Sequence, residues 1–351
     1  MTQPKVSIII PTYNVEDYLR ECLDSVCRQT LRDIEIVCVN DGSTDGSLDI
    51  IKEYASKDER IVVLDGPNGG YGKGMNRGLD RATGEYVGIV EPDDFIALTM
   101  YEDQYAVAKE NDLDFVKADF YRFTRAGNGD MRLLYNHLDR SGRWYGKVFD
   151  PSQTPEALSF IMNTWSGIYR RAFLEEHGIR HHETPGASFQ DNGFWFQTFV
   201  YAKRAMILDT PYYRNRRDNP NSSVKDKGKV YAMNQEYDYI EGLLRADGGI
   251  WEMFRGMFWA KRYDNYMFTL RRIDPSFVSE YVLHFQEDFK RAQDAGELDV
   301  TLFGDRKWAD LSRLLNDPQS FGRRFCRRQK QKGAVVKGVE SARKFYRKVV
   351  K

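Results

Sequence analysis

Glu91-Pro92-Asp93-Asp94 places three carboxylates within four residues, directly after the apolar run Val87-Gly-Ile-Val90. Crowded carboxylates repel one another until a cation or raised pKa values relieve them. Oxygen-only ligands of this kind suit Mg²⁺ or Mn²⁺, ions that keep waters and take their remaining ligands from substrate phosphates. The same acids would also serve to cap a helix starting near Ala97. A second acidic cluster, Asp41-Gly-Ser-Thr-Asp45, follows the apolar run Ile34 to Val39. A carboxylate there can accept the hydrogens of a nucleobase, or cap the helix that Leu48 and Ile51 announce. Asn68-Gly-Gly-Tyr-Gly-Lys-Gly74 is not a Walker loop, because Gly74 stands where Ser or Thr must follow Lys73. It presents Lys73 and backbone amides at a helix start, beside a ribose or phosphate. Pro11-Thr12-Tyr13-Asn14 completes the set of polar turns.

These turns need a frame to bring them together, and the intervening residues supply one. Val6 to Ile10 is a β-branched run closed by Pro11, the pattern of a strand buried on both faces. Asn14 reads as the cap of a helix carrying Tyr18, Leu19, Cys22, Leu23 and Val26, and Ile34 to Val39 reads as the next strand. The alternation continues with helices at 47–57 and 73–81 and strands at 61–64 and 85–90. This describes an α/β, mostly parallel doubly wound sheet with helices on both faces. Ligands of such sheets bind beyond the carboxyl ends of the strands, which is where all four polar turns fall. Helices are expected at 155–162 and 171–177. Beyond Asn221 the apolar stripes are helical, through 230–244, 250–270 and 277–289. We divide the chain into 1–224, a helical region 225–320 and a basic tail 321–351.

Fifty-two basic and 52 acidic residues balance, so charge points to no nucleic-acid partner. The tail is the exception, with twelve Lys/Arg against the single acid Glu340 from Phe321 to Lys351. Val335, Val336, Val339, Ala342, Phe345, Tyr346, Val349 and Val350 recur there at three and four residues, so a basic amphipathic helix is expected. Such a helix suits an anionic membrane face or a second subunit of a homo-oligomer. Cys22, Cys27, Cys38 and Cys326 lack C-x-x-C spacing and read as free thiols in a reducing compartment. Without a run of about 18 apolar residues, the expected location is cytoplasmic, at the inner face of the membrane.

Val6-Ser-Ile-Ile-Ile-Pro-Thr-Tyr-Asn14, Val39-Asn-Asp-Gly-Ser-Thr-Asp45, Asn76-Arg-Gly-Leu79, Ala82-Thr-Gly-Glu-Tyr86 and Glu91-Pro-Asp-Asp94, in this order, resemble the family 2 glycosyltransferases of the GT-A fold. The resemblance is strongest over about 4–120 and loosens to about 224. It implies an inverting, metal-dependent transfer from a UDP-sugar to a saccharide or lipid-linked glycan in bacterial surface polysaccharide synthesis. Pro11, Thr12, Tyr13 and Asn14 would then line the nucleotide pocket, Asp41 would hold the base, and Asn68, Lys73 and Asn76 would approach ribose or phosphate. Asp93 would bind metal and diphosphate, with Asp94 facing the sugar or the metal shell. Glu91 replaces the more usual aspartate, and Met75 stands where many relatives carry arginine.

Two later segments extend the resemblance. Asn163-Thr-Trp-Ser-Gly-Ile-Tyr-Arg-Arg-Ala-Phe173 and Phe189-Gln-Asp-Asn-Gly-Phe194 look like the family's acceptor side, with Gln190 where an acid is frequent. Asp191 is then the candidate general base, deprotonating the acceptor hydroxyl as it attacks the anomeric carbon. Pro211-Tyr-Tyr-Arg-Asn-Arg-Arg217, followed by Asn221-Ser-Ser223, looks like a closing loop whose Arg214 and Arg216 would meet the diphosphate. His181 and His182 have no metal-ligand spacing and read as loop residues. A nucleotidyltransferase would need a phosphate-gripping Gly-rich, Lys/Arg-bearing first turn, which Pro11-Thr-Tyr-Asn14 does not supply. A non-catalytic sugar-binding module would bind glycan or nucleotide-sugar without transfer.

Overall fold

The computed structural model describes residues 3–127, 129–222 and 226–331, so most of the basic tail, from 332 onward and with it Val335 to Val350, lies outside the described residues. Two compact units are present, 1–224 with 235–253, and 225–234 with 254–351.

In the first unit, strands and helices alternate as β1 (Val6–Thr12), α1 (Glu16–Cys27), β2 (Ile34–Asp41), α2 (Ser47–Ala55), β3 (Ile61–Gly66), α3 (Tyr71–Arg81) and β4 (Tyr86–Ile89). There follow β5 (Phe95–Ile96), α4 (Met100–Glu110), β6 (Phe115–Arg125), β7 (Met131–Asn136), β8 (Gly167–Arg170), α5 (Arg171–Glu176), α6 (Asp191–Tyr201) and β9 (Ala205–Arg216). The sheet runs β3-β2-β1-β4-β8-β6-β9-β5, with β7 paired to β6. Its first four strands are parallel, as is β6 with β9, while β8, β5 and β7 pair antiparallel, so the curled sheet is mixed beyond β4. Every residue of β1 and β2 is buried, which explains why their runs do not alternate. Glu35 is tolerated inside β2 because Ser7, Thr83 and Arg81 all donate to it. Burial pushes its carboxyl up, but these bonds outweigh that and hold it below the usual range.

Three local expectations are corrected. Asn14 is not the cap of α1: it sits at φ 50°, and the cap position is Val15. Asp45 takes that task, accepting from Glu16 N at 3.1 Å and Ser47 N at 3.0 Å, while Glu16 Oε2 accepts from Gly46 N at 2.6 Å. Helices α1 and α2 thus cap each other. The helix expected near Ala97 starts at Met100, because Phe95–Ile96 pair with Arg214 and Tyr213 of β9. The stretch from Pro155 forms only a 3-10 turn, Pro155–Ser159.

Helices α7 (Ala232–Arg245) and α8 (Gly248–Arg272) have residues in both units. The second unit continues with α9 (Val278–Asp294) and α10 (Val300–Asn316), and residues 318–331 are helical. Its core is aromatic, with Trp259, Tyr266, Tyr281, Phe285 and Phe289 buried. Arg262 is fully buried among them and pairs with Asp288 at 2.7 Å. Among the described residues no helix is long and apolar enough to cross a membrane.

Candidate active site

The carboxyl ends of β1, β2 and β3 carry three turns that are stitched to one another. Asn14 Oδ1 accepts from Thr44 N at 2.7 Å, and Asn14 N donates to Ser43 Oγ at 3.1 Å. Pro11 and Thr12 are buried at the end of β1, whereas Tyr13 is 49% exposed. Asp41 accepts from Gly69 N at 2.8 Å on one oxygen and from Gly70 N at 2.9 Å on the other. The residue expected to hold a base therefore also shapes the glycine turn. Gly70 at φ 89° and Gly42 at φ 70° are in the left-handed region, and a Cβ on Gly42 would lie 2.6 Å from Asn68 N. Lys73 is exposed, its stem packed against Gly69.

Asn76 has a different task from the one expected of it. Its Oδ1 accepts from His181 N, and its Nδ2 donates to His181 O and Glu183 Oε1, each at 2.9 Å. The amide clamps segment 181–183 onto α3, with both its N–H donors used within the protein. Close packing reinforces the clamp: a Cβ on Gly72 would fall 2.0 Å from His182 O.

At the end of β4 the three acids divide. Glu91 Oε1 accepts from Tyr71 Oη at 2.8 Å, and Glu91 N donates to Tyr213 Oη at 2.9 Å. Burial pushes the Glu91 carboxyl up to about 8; the Tyr71 bond pulls it down, while Asp93 and Asp191 push it further up. Asp93 Oδ2 accepts from Asn219 Nδ2 at 2.8 Å, and burial raises its pKa too. Asp94 is buried, with Oδ1 accepting from Arg216 N at 2.6 Å and Oδ2 from Asn215 Nδ2 at 3.0 Å. Each of its oxygens accepts from β9, so Asp94 locks the acid turn to that strand.

The two arginines expected at the diphosphate are likewise engaged elsewhere. Arg216 is buried between Tyr18 and Phe123, pairs with Glu21 at 2.6 Å, and reaches Asp93 only through its carbonyl, at 2.7 Å. Arg214 donates to Pro211 O at 2.5 Å and lies 4.8 Å from the Tyr121 ring centroid. Trp165, half-exposed, stacks on Tyr213 at 4.2 Å and thereby adds an aromatic surface beside Glu91.

Asp191 opens α6, half-buried, and burial pushes its carboxyl up to about 6. Its charge bears on Glu91, Tyr71 and Tyr169 and raises the pKa of each. Just ahead of it Phe189 is held at φ 68°, an uncommon conformation for an aromatic residue. Gln190 fixes that bend, accepting from Ser188 N at 2.5 Å and donating to Thr184 Oγ1 at 2.7 Å and Gly186 O at 3.0 Å. His181 is buried with neither ring nitrogen bonded, stacked on Phe194 at 4.4 Å, and burial drives its pKa down to about 3. His182 lies 3.0 Å from Glu236 Oε2 through Nδ1. Glu236 on α7 and Tyr71 on α3 escaped the sequence reading. Tyr71 follows the glycine pair directly, the one signal that could have found it; Glu236 sits in an ordinary helical stripe.

Asp93 would hold one hard divalent cation through its oxygens, and such a charge would favour ionisation of Glu91 beside it. The raised carboxyls of Glu91 and Asp93 are what such a charge would relieve. Among the described residues no three His, Cys, Asp or Glu side chains are grouped to hold a metal by themselves. An ion there would complete its shell from substrate phosphates.

Comparison with known proteins gives the following. Residues 7–178 match the model of glycosyl transferase family 2. The uncharacterized glycosyltransferase EpsJ of Bacillus subtilis (strain 168) is 37% identical over 221 residues, 62% of this chain and 62% of EpsJ. The chain thus spans less than two thirds of that relative. The uncharacterized glycosyltransferase YibD of Escherichia coli (strain K12) is 32% identical over 242 residues, 68% of each chain. Among solved structures, residues 1–349 of S. aureus TarS in complex with UDP superpose with a TM-score of 0.55 at 22% identity, covering 84% of this chain and 88% of that one.

Proposed function

This chain belongs to glycosyl transferase family 2, and we propose that it moves a sugar, with inversion, from a UDP-sugar to a saccharide or lipid-linked acceptor in building a bacterial surface polysaccharide. The observation that carries this reading is that the charges of Asp93 and Asp191 both bear on the buried Glu91 at the end of β4, with Asp191 itself brought to about 6 by burial. A base at that value is mostly ionised at neutral pH yet still basic enough to take a hydroxyl proton.

Pro11, Thr12, Tyr13 and Asp41 form the nucleotide end, with Asn68 and Lys73 beside the ribose and diphosphate. Asp93 would hold Mn²⁺ or Mg²⁺, which when bound would supply positive charge against that of the leaving diphosphate. Asp191 takes the proton of the acceptor hydroxyl while that oxygen attacks the anomeric carbon from the face opposite UDP. Trp165 offers the face on which a sugar ring stacks. TarS was crystallised with UDP on the same fold, which supports a uridine donor here. The deciding experiment screens nucleotide-sugars by calorimetry with and without Mn²⁺, then follows UDP release from those that bind. Binding of no UDP compound in either condition would overturn the reading.

A further inference from the structure

The first amides of a helix have no partners inside it, and an aspartate at the start ordinarily folds back to satisfy one. Asp191 stands at such a start, its carboxylate drawing on the amides of Asp191 and Asn192, while Gln190 before it makes no side-chain cap bond. The third amide of α6 is satisfied instead from another helix: Gly193 N donates to Glu236 Oε1 at 2.8 Å, across 43 residues of sequence. The other oxygen, Oε2, lies 3.0 Å from His182 Nδ1. The His182 ring in turn stacks on Tyr239 at 4.0 Å and 8°, a residue one turn along α7. A Cβ at 193 would lie 2.6 Å from Glu236 Oε1 and 3.1 Å from the Tyr239 ring, so a side chain there would displace the carboxyl from the amide.

We infer that Glu236 is a positioning residue for the transfer, acting as the cap of α6 from outside that helix and tying it to the clamped 181–183 segment, so that Asp191 is held toward the crevice. The inference rests on the reading of Asp191 as the base. Glu236 is 2% exposed, and among the described residues no lysine or arginine pairs with it. Without a cationic partner, burial pushes the Glu236 carboxyl up to about 8, and the bonds to Gly193 N and His182 Nδ1 are what fix its position. It also lies beyond the residues 7–178 that match the family model, so the helical region contributes to the catalytic constellation.

The test uses the full chain with Mn²⁺ and either UDP-glucose or UDP-N-acetylglucosamine, whichever the wild type turns over, reading UDP release and, by calorimetry, UDP affinity. Misplacing a base by about an ångström costs roughly 10²-fold, so Glu236→Ala should lower kcat by about that factor with UDP affinity kept within about twofold. Glu236→Gln retains an acceptor for Gly193 N and should recover most of the loss. His182→Ala should lower kcat less, and combined with Glu236→Ala should add nothing further, because the two act as one unit. Wild-type kcat in Glu236→Ala, or a fall in UDP affinity as large as the fall in kcat, overturns the inference. Asp191→Asn separates the two claims: if it still turns over, the base assignment fails, whereas a dead Asp191→Asn beside a fully active Glu236→Ala removes only the role of Glu236.

Discussion

Tyr71 Oη donates to Glu91 Oε1 at 2.8 Å, so the residue that follows the glycine turn of α3 holds the carboxylate that opens the acid turn after β4. Two of the polar strand ends are therefore one hydrogen-bonded assembly before any nucleotide arrives. Burial nevertheless keeps Glu91 largely protonated at neutral pH, its carboxyl raised to about 8 against the downward pull of that bond.

That shift fixes the sign of a stability change with pH. Glu91 ionises near 4.5 when unfolded and near 8 when folded, so the folded state binds the extra proton between those values. Its contribution to stability is full below about 4.5 and is lost as pH rises toward 8. In metal-free buffer the melting temperature should fall across this window, and Glu91→Gln should flatten the fall. Differential scanning calorimetry from pH 5 to 8 measures both.

Asp191→Asn should leave UDP affinity intact and lower turnover by about 10²- to 10⁴-fold, the range a general base supplies. In the wild type, kcat/KM should rise with pH through about 6, where the Asp191 carboxyl loses its proton. A pH profile with no limb near 6 would count against Asp191 as the base.

Asp93 and Asp94 should separate cleanly. Asp93→Asn is expected to abolish the Mn²⁺ dependence of UDP binding, because Asp93 is the acid proposed to hold the ion. Asp94→Ala should act on folding instead, stranding Arg216 N and Asn215 Nδ2, at a cost of about 2 kcal/mol or more. Mn²⁺ titration against UDP binding, alongside urea denaturation, distinguishes the two.

Asn76→Ala removes three hydrogen bonds that hold His181 and Glu183. We expect a loss of about 2–3 kcal/mol of stability with UDP affinity changed by less than about threefold. A large loss of UDP affinity in a protein of unchanged stability would return Asn76 to the nucleotide pocket.

The parallel half of the sheet was legible in sequence because β1, β2 and β4 are short apolar runs closed by polar turns, and those turns lie where such sheets bind ligands. The antiparallel half was not, since the pairing of Phe95–Ile96 with β9 depends on residues more than a hundred positions away. Distance in sequence also hid the work of Arg216, whose partner Glu21 is 195 residues earlier. A motif shows that an arginine stands near a diphosphate loop; it does not show that a distant acid has already claimed it. Glu236 left no signal at all, because a glutamate in a helix is ordinary until the amide opposite it is known.

Gly72 lies so close to His182 O that no side chain fits between them. The donor-side turn and the acceptor-side loop are therefore not separable modules. A chimera that imports a relative's 181–190 loop to change the acceptor must import the matching glycine turn of α3 with it, and a mutational library confined to one side would sample mostly broken pairs.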